Sequence, residues 1–151
     1  MNLQQISFPR VELIPAIRES AEAFDDFSGK GLISHLAQIQ NPPHDERAKY
    51  TQFQKINAFL QSVTGRPDAK IEVPYDWRHI EVHMDDKVLP LASLGTGIQE
   101  VIMIAAFCTL ASDQIVCIEE PEIHLHPLLQ RKLISYLKEN TTNQYLSLRI
   151  R

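Results

Sequence analysis

Two cysteines, five glycines and a single tryptophan are all that 151 residues hold of those types. Cys108 and Cys117 both lie inside apolar runs, a setting for reduced thiols packed in a core and not for a disulfide framework. Long apolar runs are missing too. The longest uncharged one, Val101 to Ser112, falls far short of the ~20 residues that cross a bilayer. The opening Met-Asn-Leu-Gln-Gln has neither the basic region nor the apolar core of a secretory signal. These absences predict no membrane partner and a cytoplasmic location. Positive charge is scarce as well: 15 Lys and Arg stand against 19 Asp and Glu, a net charge of −4. That argues against a strongly cationic nucleic-acid binder but leaves room for a local basic patch.

What is present suffices for a core. Apolar residues make up 44% and charged residues 23%, outside the range of disordered chains. The length fits one domain or a piece of a larger one. Nine prolines cut the chain into blocks. Residues 11–24 read as extended before Pro15 and helical after it. Leu32, Ile33, Leu36 and Ile39 keep a helical spacing until Asn41-Pro42-Pro43. A longer helix is predicted over Asp45–Val63, stopped by Gly65 and Pro67. Short strands are predicted at Lys70–Pro74, Arg78–Met84 and Lys87–Leu91, with Asp85-Asp86 as the turn between the last two.

From Gly95 the pattern changes. Gly97–Ala111 reads as a helix apolar nearly all round, so buried on more than one face. Gln114–Ile118 is a continuous apolar strand, as expected in the middle of a sheet covered on both sides. Pro127–Asn140 reads as an amphipathic helix and Gln144–Leu148 as a last strand. Helix, strand, helix, strand implies an α/β fold with a parallel sheet. The expected organisation is a helical segment over 1–66, a small β-hairpin unit over 67–91 and an α/β lobe over 92–151.

Chemistry concentrates in QIVCIEEPEIHLHP, residues 114–127. Glu119 and Glu120 close a buried strand, and ligands of open α/β sheets bind at the C-terminal ends of strands. Neighbours on a strand face opposite ways, so the two carboxylates would have separate tasks: one holding a metal ion through water, the other reaching an attacking water. Taken alone, the pair reads equally as charge ending a strand. Upstream, Gly95-Thr96-Gly97 opens the apolar helix, where glycines let main-chain amides approach a phosphate at a positive helix N-terminus. Taken alone, that too reads as a loop or cap. Their order and separation of roughly twenty residues make the two together more specific.

In this arrangement the sequence resembles the C-terminal lobe of an ABC-type ATPase of the OLD-like, RecF-like and SMC-like group. Leu94-Gly95-Thr96-Gly97 resembles a degenerate signature loop, Ile115–Glu120 the Walker B strand, and Pro121–Pro127 the D-loop, with Glu122, His124 and His126. The likeness covers about residues 88–148, and more weakly 8–41. It implies a partial P-loop NTPase fold that takes ATP and Mg²⁺. Glu119 would help hold Mg²⁺ through water, and Glu120 would orient or deprotonate the attacking water. The amides of Gly95, Thr96 and Gly97 would contact the γ-phosphate of a nucleotide on an opposing subunit. The implied partners are a second copy or another ATPase chain, with DNA engaged through the full assembly.

Two parts of that family pattern are missing. No G-x-x-x-x-G-K-[ST] occurs; the only Gly-Lys pair, Gly29-Lys30, has Phe24 where the first glycine belongs. No histidine follows His126 to serve as the switch residue of the last strand. The expectation is therefore a truncated or partial subunit that needs a Walker A from elsewhere, prone to self-association through unmet apolar surface. Two other readings stand beside it: a non-catalytic interaction remnant, and a metal-dependent hydrolase using His124 and His126 with the neighbouring glutamates. His44-Asp45 looks like a phosphohydrolase dyad, although a helix N-terminus also accounts for Asp45.

Overall fold

Proline and glycine set the limits of the elements in the computed structural model, which describes residues 8–15, 31–122 and 125–148. The segment before Pro15 is a strand, β1 (Val11–Ile14); the helix expected after it lies outside the described residues. Helix α1 (Leu32–Gln40) ends at Asn41-Pro42-Pro43, and its buried Leu32, Ile33, Leu36 and Ile39 are the residues whose spacing indicated it. The expected single helix from Asp45 is divided. A 3-10 turn spans His44–Glu46, and α2 (Ala48–Thr64) begins after Arg47. Asp45 lies in the first turn of that 3-10 segment, at a helical N-terminus as expected, though without a side-chain capping bond. At its far end α2 closes on Gly65 in the left-handed region, whose N–H donates to the Gln61 carbonyl.

A small antiparallel sheet follows, in the order β2 (Lys70–Glu72), β3 (Glu81–Met84), β4 (Lys87–Pro90). Its first two strands are shorter than expected because residues 74–79 form a bulky loop. Asp85 and Asp86 both take positive φ, 51° and 58°, the geometry of a two-residue hairpin turn that Asp tolerates almost as Asn does. The Asp85 N–H is held by Asp68 Oδ2 at 2.6 Å, and its carboxylate meets Arg66 at 3.2 Å.

Helix α3 (Thr96–Leu110) is buried continuously from Glu100 to Thr109, as its all-round apolarity indicated. It packs between α2 and α4 (Pro127–Asn140). Strand β5 (Ile115–Glu119) is the middle of a parallel sheet in the order β1-β5-β6, with β6 (Gln144–Leu148) on its other side. The fold is thus mixed α/β, a three-stranded parallel sheet flanked by helices, consistent with a partial P-loop NTPase-like architecture. The first segment of the chain contributes β1 to this sheet.

The expectation that both faces of β5 are covered is met on one face. Val116 and Ile118, with Ile14 of β1, point into the helical layer and are buried. Across the other face, residues aligned in register are Val11 and Ile115, then Leu13, Cys117 and Leu146, then Glu119 and Leu148. Val11 is 63% exposed, Leu146 52%, Leu13 41% and Leu148 39%. This apolar face is thus largely exposed, although parallel sheets occur almost only with both faces covered.

Candidate functional site

Glu119 is the last residue of β5 and pairs in register with Leu148. Glu120 has already left the strand. Its φ is 42°, a left-handed conformation that costs a non-glycine residue energy, and its N–H donates to the Leu148 carbonyl at 2.8 Å. The simple alternation of strand faces is therefore not what separates the two carboxylates. A sharp backbone turn, fixed by β6, redirects Glu120 at the C-terminal end of the sheet. Both glutamates are half-buried.

The turn continues through Pro121 and Glu122, whose carbonyl accepts from the Leu125 N–H at 3.3 Å. His126 then opens α4: its Nδ1 accepts from the Leu128 N–H at 3.3 Å, and Pro127 fills the first helical position, where a missing N–H does no harm. Gln130 folds back to donate to the Leu125 carbonyl at 2.9 Å. A ring nitrogen committed to a helix cap is a poor start for a metal site. His124 lies outside the described residues, and among the described ones no group of three His, Cys, Asp or Glu side chains is placed to hold a metal ion.

At the start of α3, Gly95 has φ 94° and ψ 150°, a conformation nearly reserved for glycine. A Cβ there would meet nothing within 4 Å, so the backbone and not crowding demands glycine. No side chain caps this helix and no acidic residue lies in its first turn. The amides of Thr96 and Gly97 thus belong to the first-turn donors that have no intrahelical partner, at the positive end of a fifteen-residue helix. The short link from Leu110 to Ile115 joins the far end of this helix to the start of β5. Glycines and glutamates remain on separate elements.

The opposite end of the sheet is structural. Asn143 donates to the carbonyls of Cys108 at 2.8 Å and Ala111 at 3.0 Å, and accepts from the Gln114 N–H at 3.1 Å. The Thr109 and Tyr136 hydroxyls meet at 2.6 Å, those of Thr141 and Tyr145 at 2.6 Å. Burial pushes the Cys108 thiol up to about 12, opposed in part by a hydrogen bond with Tyr145. Sequence reasoning missed Asn143, whose only signal was an Asn just before the last strand.

Against known families, the model described as AAA ATPase domain matches residues 11–145, nearly the whole chain. The chain belongs to the AAA ATPase domain family. Domains of this family bind and hydrolyse ATP, using Mg²⁺. No individual curated protein matches the chain. For an AAA ATPase domain, two half-buried carboxylates at a strand end are hard oxygen donors that fit Mg²⁺, which is usually bound by one or two carboxylates, waters and the substrate phosphates. The same donor set suits zinc poorly. No helix of the described residues is long and apolar enough to span a membrane.

Proposed function

We propose that this chain is the carboxylate-bearing part of an ABC-type, OLD-like ATPase, completed by a phosphate-binding Walker A that its own sequence does not contain. The observation that carries this reading is the Glu119–Glu120 turn at the C-terminal end of the central parallel strand, with Glu120 held at a strained φ by its bond to Leu148. Side chains at such a turn are positioned before substrate arrives, which is what a water-orienting base requires.

In this reading Glu119 holds Mg²⁺ through water, and the bound ion supplies charge neutralisation for the phosphates. Glu120 accepts a proton from, or orients, the water that attacks the γ-phosphorus. The Thr96 and Gly97 amides, freed by the Gly95 turn, donate to γ-phosphate oxygens of a nucleotide on the opposing subunit. Glu122, with His124 and His126, belongs to the D-loop that follows. The uncovered sheet face of Leu13, Cys117 and Leu146 is where the completing lobe, from a second copy or a partner ATPase, would pack. DNA is the partner we assign to the full assembly.

A non-catalytic interaction module is the second reading, favoured by that apolar face and by the missing G-x-x-x-x-G-K-[ST]. Equilibrium titration of the chain with Mg·ATP, followed by turnover on the same sample, tests the first. Neither binding nor turnover is expected of the chain alone, and both are expected once a Walker A chain is added. Tight binding or steady hydrolysis by the chain alone would mean the phosphate cradle lies elsewhere. No turnover with any Walker A partner leaves the interaction module.

A further inference from the structure

The only tryptophan of the chain stands in the open. In the loop between β2 and β3, Trp77 is half exposed and Tyr75 wholly so, although large aromatics are among the side chains that gain most from burial. Trp77 also adopts φ 54°, an unfavourable conformation for a bulky residue. The loop is nonetheless firmly built. The Trp77 N–H donates to the Pro74 carbonyl at 3.0 Å and the Arg78 N–H to Asp76 Oδ1 at 3.2 Å. Gln40 pins the root of the loop, donating to the Val73 carbonyl at 3.3 Å and accepting from the Val73 N–H at 2.7 Å. Aromatic surface is thus presented on a fixed base.

Gln40 also lines an open groove of about 400 Å³ with Asn41, Arg47 and Tyr50. Tyr50 is 42% exposed and stacks on the buried Phe53, ring centroids 6.2 Å apart. One residue therefore supports two neighbouring features that together offer Tyr50, Tyr75 and Trp77 with two exposed arginines, Arg47 and Arg78. The large apolar side chains exposed in this loop and groove are all aromatic, and the exposed aliphatic ones lie elsewhere. Flat rings interleaved with guanidinium groups are a surface on which unpaired bases stack.

We infer that the β2–β3 loop and the adjoining Arg47–Tyr50 groove form a stacking surface for single-stranded nucleic acid. The inference names a surface for the nucleic-acid partner of the reading above but needs neither ATP nor a phosphate loop. Bases in a duplex have their faces occupied and do not bind this way. Electrostatics contributes little, because the chain is net acidic and Asp76 lies 3.9 Å from Arg78 Nε. With two arginines on the backbone, log K should fall with log salt at a slope of only about −1.4.

Trp77 serves as its own reporter. Titrating the full chain with an oligothymidylate of about 12 nucleotides, within the span of single-strand sites, should quench tryptophan emission. Tyr75→Ala should weaken binding roughly 5- to 150-fold, and Tyr75→Phe should restore it. Tyr75 is fully exposed, so thermal melting of both variants should match the parent. Emission that is unmoved by the strand overturns the inference. So does equal affinity for a duplex of the same length, or undiminished binding by Tyr75→Ala. Strand binding without Mg·ATP turnover in any assembly would sink the ATPase reading alone; turnover without strand binding would sink this surface alone.

Discussion

The backbone N–H of Glu120 donates to the carbonyl of Leu148 at 2.8 Å, tying the candidate base to the last residue of the neighbouring strand. The bond uses only main-chain atoms, so a glutamine at position 120 keeps it. Glu120→Gln should therefore leave the melting temperature and ATP affinity nearly unchanged while lowering turnover of a reconstituted assembly by roughly 10²–10⁴-fold, the usual worth of a positioned base. Turnover equal to the parent's would remove Glu120 from that role.

Asn143 closes the far end of the same sheet, and three backbone groups depend on it: the carbonyls of Cys108 and Ala111 and the N–H of Gln114. The two carbonyls lie at or beyond the end of α3, where no further turn of helix supplies donors. Asn143→Ala should cost about 1–3 kcal/mol, since part-buried polar groups left without a partner carry an uncompensated desolvation penalty. Urea unfolding reads this as a lower midpoint at unchanged slope. A loss below about 0.5 kcal/mol, the size of an ordinary surface change, would show that water replaces the amide.

How much of this was legible beforehand depends on the range of the forces involved. Helices α1, α3 and α4 and strand β6 could be read within a residue or two because their apolar spacing and their Pro and Gly stops are local. The Asp85-Asp86 turn was legible without glycine because Asp tolerates positive φ. Strand β1 was not recognised as part of the parallel sheet, since its partner β5 lies in the other half of the chain and pairing leaves no local mark. The apolar run of β5 showed that both faces are apolar, but not whether both are covered. Glu119 and Glu120 could be located, but the left-handed turn between them could not, because glutamate gives no conformational signal of that kind. Likewise, a His-x-His spacing shows two imidazoles but not that Nδ1 of His126 is spent on the Leu128 N–H.

Alkaline stability follows from three groups, Cys108 and Tyr136 buried and Tyr145 partly so. Desolvation raises Cys108 from 9.0 to about 12, and Tyr136 and Tyr145 from 10.0 to about 12. The fold thus favours their neutral forms, while the unfolded chain ionises near the ordinary values. Their contribution is complete below about pH 9 and is lost as pH climbs toward 12. The melting temperature should fall progressively over that window, and Tyr136→Phe should remove part of the slope. A curve flat to about pH 11 would contradict the burial of these groups.

The open sheet face predicts association. Leu13 and Leu146 stand in one row with Cys117 between them, and the two leucines are 41% and 52% exposed. Covering what remains of each is worth about 1 kcal/mol, roughly half of a full leucine burial. Leu13→Lys together with Leu146→Lys should therefore weaken self-association roughly thirtyfold or more, at about 1.4 kcal/mol per tenfold, with charge repulsion adding to the loss. Both side chains are already 41–52% exposed in the folded chain, so the double variant should still fold cooperatively. Sedimentation velocity over a concentration series measures the shift toward monomer. An unchanged distribution would mean that another surface joins the copies, and the completing lobe would then have to be sought away from this sheet face.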